Sequence, residues 1–286
     1  MLKHYFKIAF RNIWKYKTQS LIAIFGLAFG IACFVPALYW LRYETSYDSF
    51  YPDAEHIYRI YCVEKQSGKV NTGVPGILEK KLHEQFPVVE ASTVCMSNME
   101  DCKTNEIPHI KLRTLYADST FFNIFPQTIV SGDARHPLQI MNNMVLTETM
   151  AIRLFGDVEK AIGQHVQTKM RPSHPPYIVT AVIKDPPPNT NMQFDVMIFH
   201  GMLQYYSGLP EEVQWSSLHL DLYVKLNPGT DIERFAEELR DFTSHMSLND
   251  NIELRMLAVS DIRHHLNPSV PFTLNFIRLF LAAGIL

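Results

Sequence analysis

Apolar and charged positions separate along this chain before they begin to alternate. Residues 1–17 contain Lys3, Lys7, Arg11, Lys15 and Lys17 and no acid, and residues 18–41, TQSLIAIFGLAFGIACFVPALYWL, contain no charge. At 1.5 Å per residue this uncharged stretch spans about 36 Å as a helix, against a hydrocarbon core of about 30 Å. The pattern predicts a transmembrane helix over 18–43. Membrane helices tolerate an internal proline such as Pro36, and Tyr39, Trp40 and Tyr43 form an interfacial aromatic belt at the far end. A cleaved signal peptide would have an apolar region of about 7–15 residues and a small-x-small cleavage site. This stretch is longer and ends in Ala-Leu-Tyr-Trp-Leu-Arg, so a retained anchor is expected. A core helix of a soluble protein would keep a polar face.

The flanks of the bar carry their own pattern. Leu2, Phe6, Ala9, Phe10, Ile13 and Trp14 fall near one helical face, and Lys3, Lys7, Arg11 and Lys15 recur every four residues on another. Such a basic amphipathic helix lies flat on an anionic membrane surface; the alternative is a frayed basic flank that only sets topology. Lys7, Arg11, Trp14, Lys15 and Trp40 are the candidate membrane-interface residues. Gly26 and Gly30 form a G-x-x-x-G, which lets two membrane helices approach closely. After Arg278 the chain reads Leu-Phe-Leu-Ala-Ala-Gly-Ile-Leu. Those residues suit either a C-terminal core helix or the start of a second span, and the uncapped glycine-containing end favours the span.

From residue 44 the period changes. Tyr58–Glu64, Ile110–Tyr116, Tyr177–Ile183, His219–Leu226 and Glu253–Val259 read as strands, mostly with alternating apolar positions. Gly76–Phe86 has helical spacing and is closed by Pro87, and Glu148–Phe155 is a short helix stopped by Gly156. Asp185-Pro186-Pro187-Pro188-Asn189 ends strand pairing, because three prolines remove three backbone donors. Thr230-Asp231-Ile232-Glu233 fits a capping box, opening a helix that buries Ile232, Phe235, Ala236 and Leu239. Phe121, Phe122 and Phe125 suit a core-facing turn better than a ligand box. Short alternating strands interleaved with helices favour α+β over a doubly wound parallel sheet.

Composition alters this picture only when divided by position. The chain has 286 residues and a formal net charge of −3, with 47% hydrophobic and 19% charged residues. These averages exclude a disordered chain, a disulfide-dense mini-protein and a strongly basic nucleic-acid binder. All 29 acids lie at or beyond Glu44, and residues 44–275 carry nineteen Lys and Arg, so the body bears −10 behind a +5 head. Lys and Arg near a span resist translocation, which keeps the head cytoplasmic and places the body outside.

No nucleotide-binding or hydrolase motif is complete in this chain. Gly68-Lys69 lacks the rest of a P-loop, no G-x-S-x-G elbow occurs, and His83-Glu84 is followed by Pro87 where H-E-x-x-H needs histidine. His264-His265 are adjacent and point different ways, which suits a surface pair better than a metal site. Glu148 and Asp185 have structural uses at a helix start and a strand end. Cys95 and Cys102 could pair in an oxidising compartment, leaving Cys62 over and Cys33 in the span. No catalytic, metal or cofactor-binding residue is expected.

Several blocks resemble one family. Lys7-Ile8-Ala9-Phe10-Arg11-Asn12-Ile13-Trp14-Lys15, Gly26-Leu27-Ala28-Phe29-Gly30-Ile31-Ala32 and Glu55-His56-Ile57-Tyr58-Arg59-Ile60 are similar to the entry helix, first membrane helix and opening outer strand of MacB/FtsX-type ABC transporter permeases. The most specific stretches are Asn143 to Asp157 with Ala161-Ile162-Gly163, and Tyr177 to Thr190. The resemblance implies a cytoplasmic entry helix at 1–17, a transmembrane helix at 18–43, a MacB-like periplasmic core domain at 44–271 and the start of a truncated second span at 272–286. It also implies an inner-membrane location, an ABC ATPase subunit as partner through the complete permease, a permease dimer, membrane lipid contact and an unidentified periplasmic partner. The implied role is to transmit ATPase-driven motion for export or for lipoprotein and envelope handling, without catalysis. The rival expectation is a single-pass outer ligand-binding sensor or scaffold; an anchored envelope enzyme is a third, disfavoured by the empty motif searches.

Overall fold

The computed structural model describes residues 2–169, 175–199, 208–216, 218–242, 251–266, 275 and 277–279. One compact unit comprises Tyr47–Leu266, and a second contains the N-terminal helices.

In the N-terminal unit, α1 (Leu2–Lys15) and α2 (Lys17–Thr45) are separated only by Tyr16, at φ −112° and ψ 53°. Hydrogen bonds run through the bend, from Tyr16 N to Asn12 O (3.0 Å) and from Ser20 N to Tyr16 O (2.9 Å). The helix continues through Pro36. It is the one helix among the described residues long and apolar enough to cross a membrane, and its apolar window has no buried residues. Core helices bury such side chains, so this exposed apolar surface fits lipid as its solvent. The expected second span at 272–286 lies outside the described residues, apart from 275 and 277–279.

The body is built on a twelve-stranded mixed sheet. Its strands are β1 (Ile57–Glu64), β2 (Val70–Asn71), β3 (Val74–Pro75), β4 (Val89–Lys103), β5 (Ile110–Ala117), β6 (Ile129–Gly132), β7 (Asn143–Thr147), β8 (His165–Thr168), β9 (Tyr177–Ile183), β10 (Val196–Phe199), β11 (Leu218–Leu226) and β12 (Ile252–Ala258). The main path runs β12-β1-β11-β4-β5-β10-β7-β9-β6, with β2, β3 and β8 paired beside it. Among the described residues only β5/β10 and β7/β9 pair in parallel. The helices are α3 (Leu78–Gln85), α4 (Phe121–Ile124), α5 (Glu148–Phe155), α6 (Val158–Ala161), α7 (Glu211–Ser216), α8 (Ile232–Phe242) and α9 (Ile262–Leu266). This is the expected α+β class.

One strand departs from the expectation of short strands. The fifteen residues of β4 pair with β11 from Val89 to Cys95 and with β5 from Met96 to Cys102. Its length makes one sheet of two halves. Side chains alternate across that sheet. Tyr223 of β11, Met197 of β10 and Val145 of β7 enter one apolar cluster, with Tyr51, Phe121 and Phe125. Their neighbours Leu222, Val196 and Leu146 enter two clusters on the other face, one under α3 and α8 and one under α5 and α6. β5 shows why alternation alone reads half the burial. Ile110 and Leu112 face one side with Lys111 and Arg113 exposed, but Leu115 and Ala117 are buried on the opposite side where α4 covers it.

The phenylalanine turn is core, as its spacing suggests. Phe121 and Phe125 lie 5.1 Å apart, and Phe125 meets Tyr51 at 4.9 Å and Tyr223 edge-on at 5.1 Å. Such pairs contribute about 0.5–1.5 kcal/mol each beyond area burial.

One local expectation is corrected, and one open possibility is settled. Thr230 does not cap α8: its hydroxyl donates back to Asn227 O (2.7 Å), and Asp231 accepts from Arg234 N (3.1 Å) as the cap. Asparagine before Pro-Gly offers a turn carbonyl that captures the threonine, so the cap moves one residue on. Cys95 and Cys102 do not pair. They lie on one strand at odd spacing, about 23 Å apart at 3.3 Å per residue, facing opposite cores.

Candidate functional site: the membrane segment and the helix-exit knot

The candidate interface residues sit on the N-terminal helices. Lys7, Arg11, Trp14 and Lys15 are exposed on α1, and Trp40 is exposed near the end of α2. Positions 7, 11 and 14 share one stripe by their i, i+4 and i+7 spacing, so Trp14 borders the basic face and not the apolar face expected for it. Lys17 Nζ lies 5.3 Å from the Trp14 ring centroid, and Trp40 lies 6.3 Å from Tyr43. Aromatic rings beside cations suit the headgroup layer, where one end of the side chain is wet. At Gly26 and Gly30 an added Cβ would meet no atom within 4 Å. The two glycines therefore leave an open strip on α2.

The most constrained polar group of the body follows α2 directly. The helix ends at Thr45, whose Oγ1 returns to Leu41 O (2.9 Å), and Ser46 Oγ donates to Tyr43 O (2.8 Å). Asp48 comes next, fully buried and at φ 54°. An L residue with positive φ is uncommon and costs about 1 kcal/mol or more, so surrounding contacts must hold it. They come from the proline turn. Asp48 N donates to Asn189 O (3.0 Å), Thr190 Oγ1 donates to the Asp48 carboxylate, Asn191 N donates to Asp48 Oδ2 (3.1 Å), and Asn191 Nδ2 donates to the same oxygen (2.6 Å). Burial pushes the Asp48 carboxyl above its ordinary value, and the Thr190 and Asn191 donors pull it partly back.

Further contacts surround this knot. Burial pushes the Tyr51 hydroxyl up to about 12. The Arg263 guanidinium lies 3.9 Å from the Tyr47 ring centroid, joining the first residue of the body to α9. Gln193 Nε2 donates to Pro187 O (2.7 Å). Upstream of the turn, Asp185 accepts from Thr149 N (3.1 Å) and Thr149 Oγ1 (2.5 Å), so the strand end caps α5. Downstream, Asp195 receives Arg113 N (2.9 Å), Nε (3.2 Å) and Nη2 (2.6 Å), which seats β10 on β5. The structural uses expected of Asp185 hold, and its partner is the helix that Glu148 opens.

Two other buried polar groups resemble reactive sites until their geometry is read. Glu79 and His83, one turn apart on α3, both reach Ser92 on β4. Ser92 Oγ donates to Glu79 Oε1 (2.7 Å), and His83 Nε2 lies 2.7 Å from the same hydroxyl. A hydrolase triad places histidine between serine and acid; here the serine lies between, its proton aimed at the carboxylate. Burial raises the Glu79 carboxyl and the Ser92 bond opposes it. Arg59 pairs with Asp221 and donates to Thr72 O (3.2 Å), with its guanidinium 5.7 Å from the Tyr223 ring centroid. Both arrangements fasten the sheet. Among the described residues no group of three or more His, Cys, Asp or Glu could hold a metal ion.

The sequence pattern located the apolar helix, the proline turn and the strands β1, β5, β9, β11 and β12, but missed β4 and Asp48. The partners of Asp48 lie 142 and 143 residues away, and only the turn-forming residue types hinted at them.

Comparison with known proteins adds the family. The model described as MacB-like periplasmic core domain matches residues 20–242. A domain described as belonging to a permease protein of Porphyromonas gingivalis superposes with a TM-score of 0.60 at 18% identity, covering 73% of this chain and 92% of that one. The periplasmic region of MacB from Actinobacillus actinomycetemcomitans superposes with a TM-score of 0.50 at 10% identity, covering 76% and 94%. At these identities the likeness speaks for the fold. The comparison with curated proteins returns no match.

Proposed function

The chain belongs to the family of MacB-like periplasmic core domains of MacB/FtsX-type ABC transporter permeases, and from that premise we propose that it carries ATPase-driven motion across the inner membrane to an outer domain. The observation that supports this most is the direct succession of a lipid-compatible helix, a three-residue exit and a body tied to that exit by a buried carboxylate. In this reading α1 lies on the cytoplasmic surface through Lys7, Arg11, Trp14 and Lys15, and Trp40 sits in the opposite headgroup layer. Gly26 and Gly30 pack against another membrane helix, the permease acts as a pair, and an ABC ATPase supplies the energy. The outer body meets an export substrate, lipoprotein or envelope protein. Ser92 directs its proton to Glu79 rather than to His83, which fits a structural tie in a mechanical element better than a nucleophile.

The test uses the permease that carries this chain, assembled with its ATPase in nanodiscs. Spin labels are attached through azide-bearing amino acids in place of Lys17 and Asn105. The label distance is expected to change between the nucleotide-free and ATP-trapped states. An unchanged distance while ATP is still hydrolysed contradicts the proposal.

A further inference from the structure

We propose that Asp48 is the positioning residue through which movement of the membrane helix enters the body, by locking the chain that leaves α2 onto the Thr190–Asn191 turn. The inference rests on the motion-transmitting reading above and deepens it by naming the coupling element.

A force applied along the chain at Thr45 reaches Asp48 after two residues. An unanchored exit would absorb it as a hinge, because a few backbone dihedrals suffice for a bend. Here Asp48 is fixed twice, once through the backbone by Asp48 N on Asn189 O and once through the carboxylate by three donors from Thr190 and Asn191. Charge-assisted bonds are the stronger ones, and in a buried site water does not compete for them.

What the anchor grips is itself stiff and central. The turn contains Pro186, Pro187 and Pro188, whose rings fix φ. It joins β9 to β10, both interior strands of the sheet path. Asp185 at one end holds α5, and Asp195 at the other is bound three times by Arg113 of β5. Displacing Asp48 therefore loads two interior strands and one helix together. A surface loop in its place would yield. The left-handed backbone at Asp48 is held in place by these same contacts.

The experiment is the nucleotide-dependent label distance described above, with two further variants. Asp48→Ala is expected to abolish the distance change while ATP hydrolysis continues. If Asp48→Ala fails to assemble, the combination Asp48→Cys with Asn191→Cys and Cys33→Ser replaces it, measured before and after bridging by the short bis-thiol reagent dibromobimane. The unbridged protein is expected to lose the distance change and the bridged one to regain it. Cys62, Cys95 and Cys102 are buried and do not compete for the reagent. A distance change that survives in Asp48→Ala or in the unbridged pair overturns the inference and leaves the broader proposal standing. A bridged pair that fails to regain it also overturns the inference. A wild type without any change overturns the broader proposal, and the inference with it.

Discussion

A carboxylate without solvent contact either gives up its charge or is held by donors. Asp48 is held, yet burial still sets its carboxyl above the ordinary value. A group whose folded-state pKa exceeds its unfolded one binds its proton first in the folded state, so acidification through the interval between the two values favours folding. Asp48→Asn removes that titration and turns an amide against the Thr190 and Asn191 donors. It should lower stability at pH 7 by about 1–3 kcal/mol, the usual cost of a mispaired buried group. The gap between wild type and variant should widen as pH falls from 7 toward 4 in denaturant titrations. A gap that narrows would mean that the donors outweigh burial. The thiols give a second test at the same scale. Burial pushes Cys62 and Cys102 up to about 12 and Cys95 well above its ordinary value. In mass spectrometry at pH 8 these three should resist iodoacetamide in the folded protein and react after urea unfolding, since only thiolate attacks. Labelling of any of them in the native state would contradict the packing. The sequence could suggest a Cys95–Cys102 bridge only because it shows spacing along the chain and not which face each residue occupies.

Elements were legible where their signal is local. α5 (Glu148–Phe155) with Gly156 at φ 78° and β9 (Tyr177–Ile183) match the expectation residue for residue. Both are bounded by glycine or proline and carry a clear apolar period. β4 was not read at all, because its two halves serve different neighbours and its period changes along the way. β2, β3 and β6 are two to four residues long and exist only as additions to other strands. The edge strand β6 makes a sharp prediction. Gly132 has φ 93°, and an added Cβ would lie 2.3 Å from Thr180 O of β9. Gly132→Ala combines backbone strain with a clash against main chain, and should cost about 2–4 kcal/mol in chemical denaturation. A cost below about 0.5 kcal/mol, the level of ordinary surface substitutions, would contradict the β6–β9 register. On the other face, Leu239→Ala in α8 removes a fully buried side chain and should cost about 2–5 kcal/mol by the same measurement.

At the scale of the molecule, charge segregation along the chain carries the functional reading. The basic head, uncharged bar and acidic body appear in the sequence alone, and the α+β class follows from interleaved periods. The long-range part was not legible. The sheet order, the parallel pairing of β7 with β9 and the tie from Asp48 to Asn191 join residues far apart, and such contacts leave no periodic trace. The proposal requires the two ends of α2 to face opposite sides of a membrane. Alkaline phosphatase, active only outside the cytoplasm, can be fused separately after Lys15 and after Asn105, each with a fluorescent protein at the same site as the cytoplasmic counterpart. Phosphatase activity is expected at Asn105 and fluorescence at Lys15; fluorescence without phosphatase activity at Asn105 would place the body in the cytoplasm and contradict the account.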